Sequence, residues 1–266
     1  MSVLAGDTEL RRAVIVGLTA KQAPAVITAD LRAAGGATVC AETIYQALYR
    51  GVLPITARDC LRTRRPRRRG RQVRHPNRRA GLPNIGQRPA PVNERATVGH
   101  FELDLIIGKN NRSGLLTALE RRTRYGALVT LPDGYRAESV LAAMVELFDQ
   151  IPPQLLGSVT FDQGSEWADW ACLVEHYRLA VWFCDPHAPW QRGGIENYNG
   201  HVRYWFPRGT DLARVAPAEA DRVATFLNTQ RRRSLDWDTP EQHWLAAGGV
   251  VLGAPTPASR LLGVRP

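Results

Sequence analysis

Residues 160–207 read TFDQGSEWADWACLVEHYRLAVWFCDPHAPWQRGGIENYNGHVRYWFP, and the rest of the chain is organised around them. A short apolar run ends at Asp162, a helical segment leads to a second apolar run over Ala180–Phe183, and a polar helix carrying Glu196 follows. One carboxylate thus stands at the end of a strand and another on a later helix. Upstream, Phe101-Glu102-Leu103-Asp104-Leu105-Ile106-Ile107 alternates acids with apolar residues before a Gly108-Lys109-Asn110 turn. That is a strand with one buried face and acids on the other. Asp104 is the third acid of the set. Glu102, two positions away on the same face, is the alternative to it, and Glu166 is a second, although Ser165-Glu166 reads as the opening of the following helix.

Strands are expected at 101–107, 115–120, 125–131, 158–161 and 180–183, and a helix over 137–150, where Val140, Met144 and Leu147 form a stripe widened by Leu141 and Phe148. A three-strand meander followed by alternating helices and strands makes an α/β fold, a mixed five-stranded sheet with helices on its faces. A last helix over 217–227 precedes Asn228-Thr229-Gln230-Arg231-Arg232-Arg233.

At the other end, Thr19-x-x-Gln22 offers a capping box to a helix with Ala23, Val26, Ile27 and Leu31 on one face, ending at Gly35-Gly36. Pro24 removes an intrahelical hydrogen bond, so this helix starts later or bends. Ala41–Tyr49 places Ile44, Ala47 and Leu48 on one face, and the pair suggests a helix-turn-helix. Residues 1–17 are weakly patterned.

From Cys60 to Asn93 there are eleven arginines and no Asp, Glu or Lys, so this run alone holds more positive charge than the whole chain's net +10. With Pro66, Gly70 and Pro76 inside it, the run reads as an extended linker, and clustered guanidiniums bind a phosphate backbone by counterion release. Arg62, Arg64, Arg65, Arg67, Arg68, Arg69 and Arg71 are its candidate DNA contacts. The four cysteines, with no C-x-x-C pair, read as buried reduced thiols and exclude a zinc or disulfide framework. No apolar run reaches the 18 residues of a membrane span and no secretory leader appears, so a cytoplasmic protein is expected. The expected divisions are a helical module at 1–58, an Arg-rich linker at 59–94, a core at 95–247 and a flexible tail at 248–266.

Four segments in order, GHFELDLIIG, TFDQGSEW, PHAPWQRGGIENYNG and RYWFPRGTDL, resemble the DDE transposases of the IS30 insertion-sequence family, over roughly residues 17–244. The resemblance implies a ribonuclease H-like integrase core and Asp104, Asp162 and Glu196 as catalytic carboxylates. It also implies two Mg²⁺ ions, for which Mn²⁺ substitutes, with Asp104 bridging both. Three hard-oxygen ligands from distant positions suit such a pair of ions in an in-line displacement at phosphorus. Its reaction is metal-dependent cleavage of DNA strands at element ends and strand transfer to target DNA, by a homo-oligomer on DNA. Arg203, seven residues past Glu196, lies where the family places a DNA-contacting cation. Asn197 and Asn199 belong to the same motif and are assigned to the helix or the DNA rather than to metal, while His187, Trp190 and Arg192, in the loop before Glu196, are candidates to line the entrance of the site, Trp190 reading equally as a packing residue. The family usually carries a further helix-turn-helix ahead of the one at 19–50, for which Met1 leaves no room. The alternatives are a ribonuclease H-like nuclease or retroviral-type integrase, and a decayed or domesticated copy acting as a DNA-binding repressor.

Overall fold

The computed structural model describes residues 4, 7–61, 81–186 and 188–253. Arg62, Arg64, Arg65, Arg67, Arg68, Arg69, Arg71 and His187 lie outside the described residues. The chain forms two units, Met1–Val73 with Gln230–Thr239, and Arg74–Thr229 with Pro240–Pro266.

In the first unit, Asp7 caps a helix by accepting from the backbone N–H groups of Glu9 and Leu10. This α1 (Thr8–Thr19) buries Leu10, Val14 and Leu18 at helical spacing. The weakly patterned start of the chain is therefore a full helix, and Thr19 is its last residue rather than the cap of the next. The second helix, α2 (Pro24–Ala33), begins at Pro24, where a missing N–H costs nothing. Gln22 donates instead to Asp30 Oδ2 at 3.0 Å. In α3 (Ala41–Tyr49), Ile44, Ala47 and Leu48 are buried and join Ile27 and Val39 in one cluster, and a turn of helix, α4 (Ala57–Cys60), follows. Arg231 is held within this unit: its Nε donates to Asp30 Oδ1 at 3.0 Å and its Nη1 to Trp237 O at 2.9 Å.

Among its described residues the second unit has a short helix, α5 (Ala90–Asn93), and five strands: β1 (His100–Ile107), β2 (Gly114–Glu120), β3 (Gly126–Leu131), β4 (Ser158–Phe161) and β5 (Ala180–Phe183). Their order is β3-β2-β1-β4-β5, with β1, β2 and β3 antiparallel and β4 and β5 parallel to β1. This is the expected ribonuclease H-like mixed sheet. Short hairpins join the antiparallel strands, while α6 (Ala137–Phe148) and α7 (Trp170–Tyr177) make the crossovers that parallel strands require. Phe101 and Leu103 of β1 face α6 and Trp244. Ile106 faces the opposite layer, α8 (Gly193–Trp205) and α9 (Pro217–Asn228), and α10 (Pro240–Ala246) closes the first face with Trp244. Glu102 and Asp104 share the α8 side, since side chains alternate along a strand.

Three expectations change here. The end of the supposed linker is folded: Pro83 O accepts from Phe183 N at 2.8 Å, and Ile85 and Val92 pack on Trp182 and Cys184. Arg88, counted in the basic run, is buried there, donating to Asn93 and to Thr160 Oγ1, and burial together with the nearby Arg121 lowers its pKa to about 10. The start of the supposed tail is also docked, because the buried Trp244 indole needs an acceptor and finds Val250 O at 2.7 Å, and Leu252 is buried beyond it. Of the cysteines, Cys60 and Cys184 are buried, whereas Cys40 and Cys172 are exposed. No helix among the described residues is long and apolar enough to cross a membrane.

Glu120, fully buried, closes the β2–β3 turn. Its Oε1 accepts from the N–H groups of Gly99 and His100, and its Oε2 from Arg122 N, Thr123 N and Thr123 Oγ1. An amide in its place turns one acceptor into a donor facing donors. Glu120→Gln is expected to destabilise the protein by about 2–4 kcal/mol in urea titration, and a loss below ~1 kcal/mol would show that the turn does not depend on this carboxylate.

Candidate active site

Parallel pairing of β1 with β4 matches His100 to Ser158, Phe101 to Val159 and Glu102 to Thr160. Two residues further along each strand come Asp104 and Asp162, so the register brings both out side by side on one face at the carboxyl ends of the strands. Open α/β sheets place their ligand sites at such ends.

The two acids share a cation. Arg192 Nη2 lies 3.1 Å from Asp162 Oδ2, and Nη1 lies 3.6 Å from Asp104 Oδ1 and 2.9 Å from Leu103 O. Asp104 Oδ1 also accepts from Leu105 N at 2.9 Å, and Asp104 Oδ2 from Asn199 Nδ2 at 2.8 Å. Asp162 Oδ1 accepts from Gly164 N at 3.1 Å and from the Trp167 indole at 2.7 Å. Burial pushes the Asp104 carboxyl up from its ordinary range, and the Arg192 charge opposes that rise. For Arg192, burial alone would disfavour the charge, but the two carboxylates outweigh it and raise the pKa.

Arg192 ends a constrained loop. Gln191 Oε1 accepts from Asp185 N at 2.8 Å and Gln191 Nε2 returns a bond to Asp185 Oδ2 at 2.9 Å, while Asn84 Nδ2 holds Asp185 Oδ1 at 2.9 Å. Trp190, in the same turn, is 72% exposed, so it is not a packing residue.

Glu102, the alternative to Asp104, is committed elsewhere. It is fully enclosed, paired with Arg121, and its Oε2 accepts from Ile195 N at 3.0 Å in the first turn of α8. A carboxylate at that position complements the helix dipole and satisfies an orphan N–H. A Cβ on Gly194 would come within 2.8 Å of the same oxygen, so only glycine lets α8 approach so closely.

The structure brings Asp104 and Asp162 together and leaves Glu196 apart from them. Glu196 is exposed in the first turn of α8, three residues before Asn199, whose amide reaches Asp104. Asn197 is also exposed. Among the described residues no group of three His, Cys, Asp or Glu is close enough to hold a metal ion. Glu166 lies near the pair: burial raises its pKa first, and the charges of Asp162 and Asp104 add to the rise. Arg203 Nη2 donates to Ile107 O at 2.8 Å, clamping α8 to the end of β1. The contact that sequence reading missed is Arg192 on both acids. Its signal was that two half-buried strand-end carboxylates need a cation, and an arginine stood four residues before Glu196.

No family model matches the chain. It is 40% identical over 235 residues, 85% of this chain, to the transposase for insertion sequence element IS1086 of Cupriavidus metallidurans, of which it covers 69%. It is 35% identical over 256 residues, 91% of this chain, to the InsI transposase of element IS30A of Escherichia coli, of which it covers 66%. The chain belongs to the IS30 family of transposases. It spans about two thirds of the length of these family members. Among solved structures it is similar to the catalytic core of BIV integrase, at 15% identity and a TM-score of 0.44, with 57% of this chain and 97% of that one covered. Within an IS30 transposase, Asp104 and Asp162 are the strand-end acids of the sheet, and Glu196, Asn199 and Arg203 follow one another along α8.

Proposed function

We propose that the chain cleaves DNA strands at the ends of an insertion element and joins them to target DNA, with Asp104, Asp162 and Glu196 as its carboxylates. The observation that supports this most is the emergence of Asp104 and Asp162 from adjacent parallel strands onto one cation, in a member of a transposase family.

The residues present fit a divalent ion. Mg²⁺ takes one or two carboxylates per ion and completes its shell with water and phosphate. Asp104 and Asp162 supply them, and Asn199 Oδ1, a buried oxygen without a hydrogen-bond partner, adds a hard donor beside Asp104. Two bound Mg²⁺ or Mn²⁺ ions would supply activation of the attacking oxygen and stabilisation of the leaving one. Asp162 is oriented for this by Gly164 and Trp167, and Asp104 by Leu105 and Asn199. Glu196, on the turn of α8 before Asn199, would be the third carboxylate to hold the ions. Arg203, Asn197, Asn199 and the arginines at 62, 64, 65, 67, 68, 69 and 71 contact the DNA, the last group through phosphates alone. Trp190 presents its exposed ring to an unpaired base. The enzyme acts as a homo-oligomer on DNA in the cytoplasm. No observation favours the repressor alternative.

The test is incubation of the purified chain with end-labelled duplexes carrying element ends. Cleavage should require Mg²⁺ or Mn²⁺, stop on chelation, and be lost in Glu196→Gln without any change in melting temperature, since Glu196 is exposed. Salt-sensitive DNA binding without cleavage under all metal conditions would sink the proposal.

A further inference from the structure

We propose that Arg192 is the positioning residue of the site, holding the three acid-bearing elements in the arrangement that accepts the metal. The inference rests on the metal reading of Asp104 and Asp162. Its starting point is what the guanidinium joins. One nitrogen holds Leu103 O and approaches Asp104, both on β1, and the other holds Asp162, just past β4. The backbone of Arg192 is the N-cap of α8, which carries Glu196. One side chain thereby links the three segments on which the acids stand.

Two further observations favour a support over a surface ion pair. The Arg192 side chain is 10% exposed, whereas those of Asp104 and Asp162 are 22% and 41% exposed. The cation therefore backs the carboxylates from the buried side and leaves their outer edges within reach of solvent. In addition, the loop that delivers it is closed by the reciprocal Asp185 and Gln191 bonds and by Asn84, so the guanidinium is presented from a fixed base. Among the described residues, Arg192 is the cation paired with either acid. Without it, two like charges on adjacent strand ends repel, and their lone pairs no longer converge. The planar fork of arginine matters, because one prong serves β1 and the other Asp162, a division that a single ammonium does not reproduce.

The test is direct titration of the full chain with Mn²⁺, by calorimetry and by the electron paramagnetic resonance of bound ion, in wild type, Arg192→Gln, Arg192→Lys and Asp104→Asn. Wild type should bind Mn²⁺ and Asp104→Asn should lose that binding. Arg192→Gln, checked for folding by circular dichroism, should bind about 10–100-fold more weakly, the scale seen when groups orienting metal ligands are removed. Arg192→Lys, keeping the charge without the fork, should fall between the two, and it decides the matter if the glutamine variant does not fold. Wild-type or tighter affinity in a folded Arg192→Gln, or in Arg192→Lys, would overturn the proposal, since the arginine would then be neutral towards the ion or in competition with it. Binding that is insensitive to Asp104→Asn would overturn the metal reading itself, and this inference with it.

Discussion

Glu102→Ala is expected to destabilise the protein by about 3–5 kcal/mol, the usual cost of removing one partner from a buried ion pair. Glu102 is 1% exposed and Arg121, its partner, 3% exposed. Deleting the carboxylate leaves the guanidinium inside with the carbonyls of Val92 and Asn93 and the charge of Glu120 nearby, and it strips the Ile195 N–H of its acceptor in the first turn of α8. Charged groups enclosed without a paired counter-charge are among the few defects that reach this size. Urea unfolding followed by tryptophan fluorescence measures the loss. A change under ~1 kcal/mol would mean that Arg121 finds another partner and that the α8 start does not depend on Glu102.

Two positions along the same strand face, Asp104→Asn is expected to do the opposite. The variant keeps the shape of the side chain, and the Thr117 hydroxyl still donates to the backbone oxygen of residue 104, so the fold should survive. Strand cleavage should fall by at least about 10³-fold, the scale on which removal of one transition-state-stabilising group acts. Single-turnover cleavage at saturating Mg²⁺ and DNA separates this from weaker substrate binding. A variant retaining a tenth of wild-type activity would remove Asp104 from the reaction. On the proposed function, neighbours on one face would divide into an acid that holds the structure and an acid that acts, a division set by what packs on each.

Much of this was legible in the chain itself. Alternation in Phe101–Ile107 and the short apolar runs at Ser158–Phe161 and Ala180–Phe183 mark strands because their periodicity is local, and the order of elements then permits few sheets. What stayed hidden depends on partners distant in sequence. Glu102 and Asp104 look alike until α8 arrives to cover one of them, 93 residues later. Arg88 reads as one more charge in a basic run, yet it is buried against Thr160, 72 residues away. Thr19 has the chemistry of a cap, but Pro24 is better placed to start the helix and Asp7 already starts the one before. Arg192 looked like a rim residue because nothing near it in sequence requires a buried cation; the requirement arises only when two strand ends are laid side by side.

The excursion of residues 230–239 into the helical unit has a practical corollary. The polypeptide runs from the first unit into the second, returns for ten residues in which Arg231 grips Asp30, and leaves again at Pro240. The backbone consequently crosses between the two units three times. A single protease nick at the 73–74 junction would separate residues 1–73 covalently from residues 230–239 of their own unit, which stay on the other fragment. Nor is either unit one uninterrupted piece of gene: an expression fragment ending before Gln230 would deprive α2 of its guanidinium clasp, so the helical unit is inherited whole only together with the sheet that interrupts it.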